Sequence, residues 1–423
     1  MQSMENILTG AVTGDAAGYT LNGFKKAHIK AVFGEISTYT ETAPALKHGM
    51  ERWRKPGLYS SISQLLLMAG ACTEERRFNR EMFIHAIETA PELPGLNYSY
   101  FRDPGAAEKN LIITRGKRSG GENTRFEQPC ARVIPLTLSL LLLNSPPAEL
   151  FMKCLEFCTL FTFDTGTAAC SAVFLRLIEI IRENAVENIY GAALRASEEA
   201  AEYSSQKTHE IFSSGFNPDY VTNELMRLSN LFKTLINVKD PDRAEKLICG
   251  SVNERLKSPV TRGSVNLPAA VFPFSVSIAA LTVDHEQAIM TAASQGGAAS
   301  ALASITGAVI AAVHESFSPE PLITGLANRR KILSIIEDIT FGRNRKHALI
   351  ELAAGEPGLT LKEMEEFASR NRKSAKKQTG KPEKTRKQAE DMINRHVVES
   401  WTKTDRAKWR KEKSRIEREK DED

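Results

Sequence analysis

The sequence predicts an all-α protein. Three observations carry that expectation: apolar-periodic or Ala/Leu-rich segments follow one another through most of the chain, Pro or Gly marks the ends of several of them, and alternating Val/Ile/Thr/Tyr runs bounded by turn residues are scarce. At 423 residues, with 42% hydrophobic and 26% charged, the chain is long enough for one large domain plus an appendage and has the balance of an ordinary globular protein.

The elements follow in order. Gly10, Gly14 and Gly18 recur every four residues, which places them on one face of a helix where missing side chains let a second helix come close. Residues 63–70 are Leu-rich and apolar for most of their length and read as a helix. The strongest strand candidate, Ile112-Ile113-Thr114, is only a fragment. Helices are expected over 131–143, 149–161, 168–184, 186–203 and 220–236. Residues 288–313 carry no charge and are long enough to span a bilayer. Ala, Gly, Ser and Thr dominate there, so the segment is expected as a closely packed helix in a core, and no membrane span is expected.

Charge divides the chain. Residues 369–423 hold 19 Lys/Arg against 11 Asp/Glu, a net of +8, which leaves 1–368 at −4. The expected organisation is an all-α domain over 1–368 and a basic linker and charged helix or tail over 369–423. Residues 370–387 have too little apolar surface to offset the ordering of their backbone. Met392, Ile393, Val397, Trp401, Trp409 and Ile416 then form a thin apolar stripe, with Trp401 and Trp409 interleaved among Lys403, Arg406, Lys408, Arg410 and Lys411.

Six cysteines lie scattered without C-x-x-C spacing. Cys154 and Cys158 share a helix face and read as buried small hydrophobes in a reducing cytoplasm. The start, Met1 to Gly10, lacks a basic segment followed by an apolar core, so no signal peptide is expected and the localisation reading is cytoplasmic. The eight histidines show no paired metal spacing, and there is no G-x-S-x-G elbow and no Walker loop. Arg115-Gly116-Lys117-Arg118-Ser119-Gly120-Gly121 is basic and Gly-rich, but no strand leads into it, so it reads as a surface loop.

Three stretches together carry a resemblance: Gly10-Ala11-Val12-Thr13-Gly14-Asp15-Ala16-Ala17-Gly18, Gly57-Leu58-Tyr59-Ser60-Ser61-Ile62-Ser63-Gln64, and Gly296-Gly297-Ala298-Ala299-Ser300-Ala301-Leu302-Ala303-Ser304-Ile305-Thr306-Gly307. Their frames resemble the ADP-ribosylglycohydrolase family, which includes nitrogenase-reactivating glycohydrolases and ADP-ribosyl-arginine hydrolases. The similarity runs through most of residues 1–340. Cys130-Ala131-Arg132-Val133-Ile134-Pro135-Leu136 is similar to the family's Ala-Met-Arg-x-x-Pro segment. Phe163-Asp164-Thr165-Gly166-Thr167 stands at its Thr-His-x-x-Pro turn without the His or the Pro. Phe317-Ser318-Pro319-Glu320-Pro321-Leu322 with Leu326-Ala327-Asn328 is similar to its closing segment. The resemblance implies a compact, orthogonal bundle of helices.

It also implies a site. In the family the second stretch carries Thr-Asp-Asp and the third Gly-Gly-Asp-x-Asp-Thr, and together they hold two Mg²⁺ ions. Here Ser60 stands for Thr, Ser61 and Ile62 for the Asp pair, and Ala298, Ser300 and Ala301 for Asp, Asp and Thr. Mg²⁺ is hard, dehydrates reluctantly and is normally held by carboxylates and waters. Neutral hydroxyls without nearby negative charge do not offset its desolvation. The Mg²⁺ pair is therefore expected to be lost, leaving no cofactor.

The expected function is that of a catalytically inactive relative, a pseudoenzyme whose metal-free cleft serves ligand binding, scaffolding or regulation. The cleft's expected ligand is ADP-ribose-like or another nucleotide, with Arg132 and the helix start at Gly296-Gly297 as phosphate contacts. Arg132 lies at the positive end of a helix and so needs an anionic partner, Asp164, Glu127 or a ligand phosphate. Asp15 is expected either to cap or pair within the fold or to project into the cleft. One alternative is nucleic-acid or acidic-partner binding through the basic tail. Another is metal-independent hydrolysis using Asp15, Glu35 or Asp164 as acid or base.

Overall fold

The close approach foreseen at Gly10, Gly14 and Gly18 organises the core. The computed structural model of the protein describes residues 3–46, 53–74, 77–116, 126–183, 188–314, 317, 319–342 and 344–378, with side chains described to residue 370. The helix Met4–Tyr19 lies along the helix Ala299–Val313 over most of its length. A Cβ added at Gly10, Gly14 or Gly18 would fall 2.3, 2.1 and 2.3 Å from the carbonyl oxygens of Gly307, Ala303 and Ala299. The two backbones touch directly, so nothing larger than hydrogen fits.

Around this pair the remaining helices pack as a bundle, and the described residues hold a single two-stranded ladder, Thr73–Glu74 with Arg77–Phe78. Helix starts are fixed by side chains that accept from otherwise orphaned amides: Ser3 from Glu5 N, Asn217 from Asp219 N and Tyr220 N, Asp240 from Asp242 N and Arg243 N. Pro occupies the first turn at Pro147, Pro218, Pro241 and Pro268, where its missing N–H costs nothing.

The expected helices appear as Ser61–Ala71, Ala131–Leu143, Pro147–Cys158, Thr165–Glu183, Ile189–Gln206 and Pro218–Leu235. Ala131–Leu143 is wound as a 3₁₀ helix, with the Thr137 and Ser139 hydroxyls returning to the carbonyls of Ile134 and Leu136 at 2.6 and 2.9 Å. All six cysteines are buried free thiols, as expected of small core hydrophobes.

Two expectations are corrected. Ile112-Ile113-Thr114 belongs to the helix Ala106–Gly116, where Leu111 and Ile112 face the core and the Thr114 hydroxyl bonds Asn110 O at 2.7 Å, one turn back. The uncharged run 288–313 is two helices, His285–Ser294 and Ala299–Val313, because Gly296 and Gly297 turn the chain between them with φ of +67° and +59°. No described helix is long and apolar enough to cross a membrane.

The helix Arg345–Gln378 continues past residue 369, so the expected boundary falls within it. The tail stripe, with Trp401 and Trp409, lies outside the described residues, as does most of the basic loop 115–121.

Candidate functional site

Asp15 lies on the Met4–Tyr19 helix and is completely buried. Its Oδ1 accepts from the Ser60 hydroxyl at 2.7 Å; its Oδ2 accepts from Ser60 N and Ser63 N at 3.0 Å each and from the Ser63 hydroxyl at 2.7 Å. A carboxylate offers about four acceptor positions, two on each oxygen, so Oδ2 is fully engaged while Oδ1 accepts a single bond. Ser60 and Ser63 lie at the start of the Ser61–Ala71 helix, where orphan amides and the helix dipole both favour negative charge. Of the two roles expected for Asp15, pairing within the fold is the one observed: it caps another helix.

Ser60 is the N-cap of that helix, its hydroxyl accepting from Ile62 N at 3.1 Å. Ser61 and Ile62 follow in the first turn, fully buried.

Arg132, at the start of the Ala131–Leu143 helix, is 5% exposed. Its Nε donates to Glu108 Oε2 at 2.9 Å, and its Nη2 donates to Ser61 Oγ at 2.9 Å, Asp103 O at 3.0 Å and Ser60 Oγ at 3.3 Å. Burial disfavours the charged guanidinium, but Glu108, then Asp103 and Asp15, outweigh it and hold the pKa above its ordinary value. The anionic partner foreseen for this arginine exists, but it is Glu108 rather than Asp164 or Glu127. Asp164 instead accepts from Thr167 N at 2.6 Å and the Thr167 hydroxyl at 2.7 Å, closing the first turn of the Thr165–Glu183 helix. Burial pushes its pKa up, against the lowering by those bonds. Glu35 lies on the exposed surface.

The third stretch meets the second through the first. One turn beyond Asp15, a Cβ on Gly18 would fall 2.3 Å from Ala299 O and 2.5 Å from Ser300 N. Ala298, Ser300 and Ala301 are all buried, and the Ser300 hydroxyl has no hydrogen-bond partner among the described residues. The amides expected to face a phosphate are bonded to protein: Gly296 N to Ala293 O at 3.3 Å, Gly297 N to Phe24 O at 2.8 Å and Ala298 N to Ser264 O at 2.7 Å. Gly23 N closes the turn by donating to Gly297 O at 2.6 Å.

These donors do not suit a pair of Mg²⁺ ions. The matching positions supply three neutral hydroxyls, two of which lie within hydrogen-bond distance of the Arg132 guanidinium, and the neighbouring carboxylate, Asp15, already accepts four hydrogen bonds. A fixed cation there raises the cost of bringing in another. Among the described residues no group of three or more His, Cys, Asp or Glu side chains could hold a metal ion.

A further layer was not foreseen from the sequence. Arg102 is buried, with Nη2 on Glu356 Oε2 at 2.6 Å, Nε on Tyr59 O at 2.8 Å and Nη1 on Thr360 Oγ1 at 3.1 Å. Tyr59 Oη and Gln64 Nε2 donate to the same glutamate at 2.5 and 2.7 Å, and Tyr19 Oη donates to Glu363 at 2.8 Å. Glu356, Thr360 and Glu363 all come from the helix Arg345–Gln378, which therefore covers the flank of the Tyr59–Gln64 stretch. The hint in the sequence is a charge in an unsuitable setting: Arg102 follows Tyr100-Phe101, and Glu356 sits between Gly355 and Pro357. Where the cover ends, Arg54 pairs with Asp103 at 3.2 Å, both side chains about a quarter exposed at 27% and 24%. Asn22 also donates to Asp103, at 2.8 Å, and the Arg54 guanidinium lies 5.4 Å from the Tyr19 ring centroid.

No curated protein matches the chain. Thirty-eight chains of solved structures do. One, described as "ADP-ribosylglycohydrolase-related protein complex", shares 13% identity at a TM-score of 0.52, over 80% of this chain and 96% of that one, which is a likeness of fold. The ADP-ribosylglycohydrolase family profile matches residues 3–348, most of the chain, and the chain belongs to the ADP-ribosylglycohydrolase family.

Proposed function

We propose that this protein is a non-hydrolysing member of its family, keeping the scaffold and a binding cleft while the metal-dependent chemistry is gone. The observation that carries the reading is the Arg132 guanidinium on Ser60 and Ser61, the residues that stand for the family's Thr-Asp-Asp. Removal of ADP-ribose by the family's route needs a metal to orient the ribose hydroxyls and activate water. Here the Arg132–Glu108 ion pair sits against the Ser60–Ser61 turn, and Asp15 already accepts four hydrogen bonds that hold it to the start of the Ser61–Ala71 helix. Asp164 is engaged in capping its own helix, so the metal-independent alternative has no assembled acid and base either.

The ligand reading moves outward from Arg132 and the Gly296–Gly297 turn to the mouth at Arg54, Asn22 and Tyr19. The Arg54 Nε is buried without a hydrogen-bond partner among the described residues. A guanidinium with an unspent donor beside an aromatic ring suits an anionic, nucleotide-like ligand such as ADP-ribose.

Millimolar Mg²⁺ or Mn²⁺ is expected to leave the melting temperature unchanged, since occupancy of a real site would raise it with the logarithm of concentration. ADP-ribosyl-arginine is expected to be hydrolysed no faster than in buffer, while calorimetry detects ADP-ribose binding that EDTA does not alter. An upward melting shift reversed by EDTA, or metal-dependent release of ADP-ribose, overturns the proposal.

A further inference from the structure

The family profile ends at residue 348, yet the chain continues as helix across the flank of the Tyr59–Gln64 stretch. Beyond Gly355 that helix is unusual in what it buries. Its buried residues are Glu356, Thr360 and Glu363, spaced as one helical stripe, whereas Ala348 and Leu352 bury an apolar stripe before it. Among the described residues, the fully buried contacts of the outer half are thus polar, with Leu359, Met364 and Phe367 only half-buried. Glu356 meets Arg102, Tyr59 and Gln64, Glu363 meets Tyr19 and Lys55 N, and Glu366 pairs with Lys55. At its end Arg370 lies over the Trp53 ring at 4.6 Å and pairs with Glu41 at 3.1 Å.

The junction between the halves is Gly355-Glu356-Pro357-Gly358. Pro357 removes a helix hydrogen bond and crowds the carbonyl one turn before it, and two glycines flank it. The junction is therefore the weak point of the helix, and the outer half depends on its docking to stay in place. We propose that residues 355–370 form a detachable strap that regulates access to the cleft, hinging at Gly355–Gly358 and exposing Tyr19, Lys55, Tyr59 and Arg102 when it lifts. The inference rests on the ligand reading above only for what enters. Glu363 accepts from the hydroxyl of the same Tyr19 whose ring Arg54 overlies, so the strap and an anion beside Arg54 compete for the same small group of side chains.

Hydrogen exchange on the full chain tests the strap without any ligand. Exchange at 355–370 is expected to be at least tenfold faster than at 299–313. In the Glu363→Ala/Glu366→Ala chain it rises at least tenfold further, together with exchange at 53–60 and 98–103, while 4–19 stays unchanged. Gly358→Ala works in the opposite direction: nothing lies within 4 Å of the added Cβ, and the gain in helix propensity slows exchange about fivefold. ADP-ribose titrated into all three chains is expected to bind at least tenfold more tightly to the double variant than to the wild type, and more weakly to Gly358→Ala. Exchange at 355–370 as slow as at 299–313, or a freed strap that leaves 53–60 and 98–103 protected, overturns the strap. Equal ADP-ribose affinity in the three chains overturns its control of the cleft. If the strap lifts as expected but no chain binds ADP-ribose, the ligand reading fails instead.

Discussion

Gly14→Val is expected to abolish folding, and Gly14→Ala to cost about 3 kcal/mol or more, at the upper end of what overpacking a core does. A Cβ at this position would sit 2.1 Å from Ala303 O and 2.6 Å from Ala303 C. Both are backbone atoms of the Ala299–Val313 helix, buried from Ala299 to Ala312, so no side chain can turn aside. Relief would require the two central helices to separate, and close-packed interiors resist that. Gly250→Ala is the control: it lies in the Pro241–Asn253 helix with nothing within 4 Å of the added Cβ, and it should stabilise by up to about 1 kcal/mol. Urea melts of the three chains decide the matter. A Gly14→Ala chain as stable as wild type would mean that the Met4–Tyr19 and Ala299–Val313 helices are not in backbone contact.

The second large effect is expected from Arg132→Met, which leaves Glu108 buried without its charge partner. Breaking a buried pair from one side typically costs about 3–5 kcal/mol, because the remaining charge is uncompensated. Here the Ser61 hydroxyl and the Asp103 carbonyl also lose a donor. Arg132→Met combined with Glu108→Leu should recover most of the loss, since replacing both charges by apolar groups is often neutral. A double-mutant cycle by thermal or urea denaturation therefore gives a large favourable coupling. Additive losses would show that Arg132 is stabilised by something other than Glu108.

The fold was largely legible because its signals are local. Three glycines at a spacing of four announce a helix contact whatever the partner, and the Leu-rich run at 131–143 has few alternatives to a buried helix. The failures have equally specific causes. Ile112-Ile113-Thr114 is β-branched, which favours strands, but its neighbours Leu111 and Asn110 complete a helical turn and burial decides. The charge partners were the least legible part of the site. Arg132 finds Glu108 at 24 residues and Arg102 finds Glu356 at 254, distances over which one sequence carries no spacing rule. The Gly296–Gly297 turn resembles an anion-binding helix start in sequence. Its amides are instead used to tie the turn to Phe24 and Ser264, which only the tertiary arrangement reveals.

The winding of Ala131–Leu143 sets the reach of Arg132. A 3₁₀ helix rises about 2.0 Å per residue against about 1.5 Å in an α-helix. Over 13 residues the difference is about 6 Å, enough to withdraw a guanidinium wholly from its partners. The helix ends at Asn144 in the left-handed conformation, with its amide on Leu141 O at 3.5 Å. With that end fixed, rewinding to α would draw Arg132 back from Ser61, Ser60 and Glu108 together. The element thus works as a measured spacer: its pitch, rather than any single contact, determines whether positive charge is delivered between the two hydroxyls.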